Sequence, residues 1–244
     1  MSLRIKAGII GLAIILPVAL PVGAGPMQAI PSQERSQWHA VGRVNTAGFR
    51  RLGACTGTLI APDLVLTAAH CVAHATDTDT DLHFVAGWDR GSFAAHRVAT
   101  EVLVHPAYDP SIAEARLAWD LALLRLETPI AVGEVRALPL QSAPTPLAKA
   151  DLILGYHNKR PHVLSGHENC ALVQMLAPEI LNYGCEVISG NSGGPVLTRD
   201  PAGWSITAVI VARADDNGSA FASPVDQWVL DHWQSAMRRA EESN

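Results

Sequence analysis

Apolar positions along this chain come in short runs separated by turn residues. From Trp38 onward, Thr56-Gly57-Thr58-Leu59-Ile60 gives way to Ala61-Pro62-Asp63 and then to Leu64-Val65-Leu66-Thr67. Leu82–Ala86, Arg97–His105 and Leu121–Leu126 continue the pattern. It resumes at Asp151–Leu154, Ala171–Leu176, Gly194–Leu197 and Trp204–Val211. Short strands at close spacing, punctuated by Gly, Pro and Asp, predict an all-β sandwich or barrel. Between the two groups, Thr128 to Leu147 contains Pro129, Pro139, Pro144 and Pro146 and reads as a crossing linker. The strands therefore fall into two halves, about 38–127 and 148–222.

One helix is predicted, over about 223–240. Ser223 is placed to cap it and Pro224 to fit its first turn, while Val225, Trp228, Val229, Trp233 and Met237 recur on one face. Arg238 and Arg239 suit the negative end of its dipole. Its expected role is packing. The alternating Thr76-Asp77-Thr78-Asp79-Thr80-Asp81 lacks the Gly and distal Glu of a calcium loop and reads as a solvated turn.

The chain's start changes the picture. Arg4 and Lys6 precede an apolar stretch, Ala7 to Leu20, and the small residues Val22-Gly23-Ala24 follow. This is the plan of a secretory signal over residues 1–24. A membrane anchor fits less well, because the apolar run falls short of the ~20 residues a spanning helix needs and Pro17 and Pro21 break it. Residues 25–37 read as a leader or flexible N-terminus. A secreted or periplasmic destination is expected, with no stable membrane association once the signal is cleaved.

Composition mainly excludes. At 244 residues, 48% of them hydrophobic, the chain can form one large core or two small ones. A formal charge of −5 offers no basic footprint for nucleic acid. The four cysteines, Cys55, Cys71, Cys170 and Cys185, read as two disulfides in an exported protein. Three pairings are open, and we adopt the local one, Cys55–Cys71 and Cys170–Cys185. With no Cys-x-x-Cys spacing, no metal site is expected.

Three segments carry candidate chemistry. Leu66-Thr67-Ala68-Ala69-His70-Cys71 puts a histidine at the end of an apolar strand. Trp119-Asp120-Leu121-Ala122-Leu123-Leu124 puts an aspartate at the head of another, where burial requires a partner for it. Gly190-Asn191-Ser192-Gly193-Gly194-Pro195 sets a serine among glycines that free the Gly190 and Ser192 N–H groups to meet one oxygen. Serine is a weak nucleophile, neutral imidazole is a base suited to pH 7, and a buried carboxylate fixes the imidazole's tautomer.

These segments, with Cys55-Thr56-Gly57-Thr58-Leu59-Ile60 and His105-Pro106-Ala107-Tyr108, resemble the histidine, aspartate and serine regions of trypsin-like serine proteases. The order His, Asp, Ser is that of the chymotrypsin fold. The resemblance runs from about Trp38 to the terminal helix. It implies two six-stranded antiparallel β-barrels with a cleft between them. It also implies His70 as general base and acid, Asp120 as its orienter, Ser192 as nucleophile, and the Gly190 and Ser192 amides as oxyanion hole. A secreted serine endopeptidase acting on polypeptides follows, with no organic cofactor and nothing that demands more than a monomer. A catalytically silent binding module and a narrow processing protease or esterase are the alternatives. The intact set of His70, Asp120 and Ser192 weighs against the silent one.

Two positions depart from the family. Animal members pair a freed apolar N-terminus with an Asp just before the nucleophile; here that residue is Asn191, so no such switch is expected and the chain looks more like bacterial members. Glu186 stands where trypsin has its pocket-base carboxylate, and Val211-Ala212-Arg213 should form the opposite wall. Either Glu186 favours a weak preference for basic residues, or it points elsewhere. Arg213 either neutralises it or faces an acidic substrate.

Overall fold

Main-chain pairing begins earlier than the sequence pattern suggests. The computed structural model describes residues 27–46, 55–75, 81–141, 149–177, 179–214 and 218–242, so the predicted signal and most of the Thr76–Asp81 tract lie outside the described residues. Strand β1 (Gln28–Ala29) pairs antiparallel with Ser165 and Gly166, and a 3-10 turn, Ser32–Trp38, follows. Met27, Ile30 and Trp38 are buried, and Trp38 meets Trp204 edge-on with ring centroids 5.4 Å apart. The expectation of a flexible N-terminus is corrected here for residues 27–37. Buried apolar side chains and ladder hydrogen bonds hold them down.

The first half closes on itself. Strands β2 (Val41–Asn45), β3 (Cys55–Ala61), β4 (Leu64–Thr67), β5 (Leu82–Ala86), β6 (Ala95–Val104) and β7 (Ala122–Leu126) form a closed antiparallel barrel in the order β2-β3-β4-β7-β6-β5. Closure satisfies the strand edges that an open sheet would leave unpaired. Val65, Leu66, Leu123 and Leu124 are all fully buried, so β4 and β7 bury both faces rather than alternating. Each such side chain contributes roughly 1.5–3 kcal/mol relative to exposure.

The linker keeps its backbone paired as it crosses. Ile130 N–H donates to Pro62 O and Leu138 N–H to Leu59 O, while Gln141 N–H reaches Ile206 O on the other half. There, β8 (Lys149–His157), β9 (Arg160–Ala177), β10 (Ile180–Glu186), β11 (Pro195–Asp200), β12 (Gly203–Arg213) and β13 (Ser219–Pro224) pair in the order β9-β10-β13-β12-β11-β8. A further β8–β9 pairing joins the ends into a second circuit, with β1 added beside β9. The fold is thus two antiparallel barrels and a terminal helix. Strand β9 begins at Arg160, well before the predicted Ala171, because its first half pairs with β8 although it contains Glu168 and Asn169.

The helix starts later than predicted. Strand β13 retains Ser223 and Pro224, and α2 spans Gln227–Glu242; a short turn of helix, α1 (Ala115–Ala118), precedes Trp119. Ser223 is fully buried and its hydroxyl donates to Ala118 O, so it is spent before the helix begins. Asp226 caps instead: its Oδ1 accepts the Val229 N–H at 3.0 Å, and its Oδ2 meets Nε2 of buried His105 at 2.9 Å. Val229 and Ala236 are buried, Met237 is exposed, and Trp233 Nε1–H donates to Ile60 O at 2.9 Å. The last helix therefore fastens onto the first barrel. Asp226→Ala is expected to cost about 2 kcal/mol, combining the lost cap with an orphaned His105, as a lowered denaturation midpoint at unchanged slope.

Candidate active site

Two short turns at neighbouring strand ends set the first pair of side chains. After β4, Ala68 stays extended and the chain tightens into a 3-10 turn, Ala69–Cys71. The disulfide Cys55–Cys71 ties that turn to β3, and the second predicted pair, Cys170–Cys185, also forms. Ahead of β7, Leu121 N–H donates to Trp119 O, bending the chain sharply at Asp120, while His105 N–H donates to Leu121 O. Asp120 is 2% exposed, so its carboxylate must be bonded. It is: Oδ1 accepts the His70 backbone N–H at 2.8 Å and Oδ2 lies 2.6 Å from His70 Nδ1.

That geometry assigns the imidazole tautomer. A carboxylate is an acceptor, so Nδ1 carries the hydrogen and Nε2 keeps its lone pair. The His70 side chain is 38% exposed, and Nε2 lies 3.6 Å from Cys71 Sγ. Tyr108 also feels this carboxylate: burial first, and then the charge of Asp120, push its pKa up, keeping it neutral.

The serine loop comes from the other barrel. Asn191 N–H donates to Ile188 O and Gly194 N–H to Asn191 O, so the chain turns twice in succession. Gly193 N–H donates to Ile210 O and Ile210 N–H to Gly194 O, anchoring the loop on β12. Gly190 and Gly193 have φ of 103° and 81°, values that favour glycine. A Cβ on Gly193 would sit 2.0 Å from Thr56 O and 2.3 Å from Thr67 Oγ1. Among the described residues, neither the Gly190 nor the Ser192 N–H enters a backbone hydrogen bond. Two donors are thus left for an incoming oxygen.

Thr56 holds the loop from the opposite side. Its N–H donates to Ser192 O at 2.8 Å, and its hydroxyl donates to Gly190 O at 2.9 Å while accepting from Tyr156 N–H at 2.9 Å. Sequence reading gave Thr56 no role; its place directly after Cys55 was the one available signal. Asn191 is fully buried and self-sufficient: its Nδ2 donates to Tyr156 O and its Oδ1 accepts from Ile188 N–H. This amide fills its site without any charged partner.

His70, Ser192 and Gly190 line one cleft of about 390 Å³, together with Asn158 and Ser189. The last two were not singled out from the sequence; Asn158 Nδ2–H donates to Ser189 Oγ at 3.0 Å on the cleft wall. A smaller pocket of about 190 Å³ adjoins Ser192 and includes Ala212 and Arg213 but not Glu186. Val211 is buried in β12 and does not line it. His70 lies near the sulfurs of Cys55 and Cys71, and His167 near those of Cys170 and Cys185. In both groups the sulfurs are bonded to one another, so they are not thiolate ligands.

The sequence model of the trypsin family matches residues 30–230. Mouse Serine protease 56 is 30% identical over 62% of this chain, and the trypsin of Saccharopolyspora erythraea is 28% identical over 60% of it. The chain spans 28% of the mouse protein's length and 71% of the bacterial one's. A solved structure described as a Glu endopeptidase in complex with MPD superposes with a TM-score of 0.70, at 18% identity, over 90% of this chain and 100% of its own. That likeness concerns the fold. The match across most of the described chain means that this chain belongs to the trypsin family.

Proposed function

We propose that this chain is an exported serine endopeptidase in which His70, Asp120 and Ser192 act as a catalytic triad. The observation that carries the reading is the pairing of buried Asp120 with both the backbone N–H and Nδ1 of His70, beside a cleft that Ser192 also lines. Ser192 Oγ attacks the carbonyl carbon of the scissile bond and passes its proton to His70 Nε2. The carbonyl oxygen takes up negative charge, and the Gly190 and Ser192 N–H groups stabilise it. His70 then returns the proton to the departing amine, leaving Ser192 acylated. Water repeats the sequence, giving its proton to Nε2 and its oxygen to the acyl carbon, and the acid product leaves as Ser192 Oγ is reprotonated.

Asn191 supports a form that needs no N-terminal ion pair, since its amide is already bonded within the loop. The two disulfides suit an oxidising compartment, in keeping with export. Among the described residues, no helix is long and apolar enough to cross a membrane.

Intact-mass analysis with a fluorophosphonate tests the triad. The expected result is one phosphonyl adduct on the exported protein and none on Ser192→Ala. An unlabelled wild type, folded and with both disulfides formed, would remove the triad reading and leave a binding module.

A further inference from the structure

The pocket beside Ser192 carries a charge that bears on which side chains it accepts. Its walls are Val187, Ile188, Ser189, Ile210 and Ala212, and its one charged side chain among the described residues is Arg213. Glu186 stands apart from that lining. It is half-buried at the end of β10, in register with Ser219, and its side chain lies against Gly218, where a Cβ would approach Glu186 Cγ to 3.0 Å. No ion pair joins Glu186 to Arg213 among the described residues, and Arg213, at the end of β12 opposite Ala220, is exposed and lines the pocket.

An apolar pocket with a guanidinium at its edge selects by charge. An entering carboxylate trades water for paired N–H donors in a planar fork that matches its two oxygens. An entering ammonium or guanidinium would lose water and meet a like charge. Neutral side chains lose little and gain little. We propose that Arg213 is a specificity residue that directs cleavage to peptide bonds following glutamate or aspartate. This inference rests on the endopeptidase reading above.

Peptides that differ only in the residue before the scissile bond provide the test, with Glu, Asp, Gln and Lys at that position. The wild type is expected to show kcat/KM about 10–100-fold higher for Glu than for Gln, and lower for Lys than for either. Arg213→Gln should bring the Glu:Gln ratio to within threefold of one, Arg213→Lys should keep part of it, and Arg213→Glu should raise Lys above Glu. Two results would overturn the proposal: preference for Lys that disappears in Glu186→Gln, or preference for Glu that survives in Arg213→Gln. An enzyme that takes the fluorophosphonate on Ser192 yet cleaves all four peptides alike also rules out Arg213's role while leaving the triad standing. Absence of the adduct counts against the triad itself.

Discussion

Asp120→Asn is expected to lower kcat by about 10⁴-fold while leaving the protein folded, the scale of the same exchange in the family's type enzyme. The reason is the direction of one hydrogen bond. Asp120 Oδ2 can only accept, so Nδ1 of His70 must be the protonated nitrogen. An asparagine at this position accepts the His70 backbone N–H through its oxygen and turns its NH₂ toward Nδ1. The imidazole then holds its hydrogen on Nε2, the atom that must take the Ser192 proton. Steady-state kinetics on a peptide substrate checks the rate, and circular dichroism checks the fold. A loss below tenfold with the fold intact would mean that Asp120 does not govern the tautomer of a catalytic base.

Gly193→Ala should have the larger effect on stability. Its φ of 81° already disfavours a side chain, and the added Cβ would drive into Thr56 O and Thr67 Oγ1 at 2.0 and 2.3 Å. Both obstacles belong to the first barrel, so relief requires the Ser192 loop or the barrel seam to move. We expect a loss of about 3–5 kcal/mol, the range of severe backbone and packing defects, together with loss of fluorophosphonate reactivity. Gly91→Ala is the matched control. Its φ of 100° is equally unfavourable, but nothing lies within 4 Å of the added methyl, so about 1 kcal/mol is expected. Denaturant titration of both variants separates conformational strain from the close approach, and equal costs would show that contact with Thr56 is immaterial.

The parts of this molecule legible in the sequence are those with local signatures. Strand β5 is legible to its ends because four of the five residues of Leu82–Ala86 are apolar and turn residues flank them. The joining of His70 to Asp120 came from the resemblance to trypsin-like proteases, and the two disulfides from choosing the local of three open pairings; both are found. What escaped depends on distant partners. Strand β1 exists because Ser165 and Gly166 offer it an edge, and nothing within Gln28-Ala29 announces that. Ser223 has the chemistry of a helix cap, yet the carbonyl of Ala118 takes its hydroxyl, and Asp226 inherits the role. Glu186 holds a family position in sequence, while its side chain's surroundings are set by Gly218 across the β10–β13 pairing.

Thr56 ties together parts of the chain that are far apart in sequence. The serine loop is laid down late in the chain, but one residue near the start of the first barrel grips both Ser192 and Gly190. These bonds cross from one half of the chain to the other, so neither half by itself contains both the serine loop and the donors that hold it. The second half, cut free, would have a serine loop whose supporting amide and hydroxyl donors belong to a missing neighbour. Only docking of the two barrels, locked by Trp233 of the final helix on Ile60, brings the parts into register.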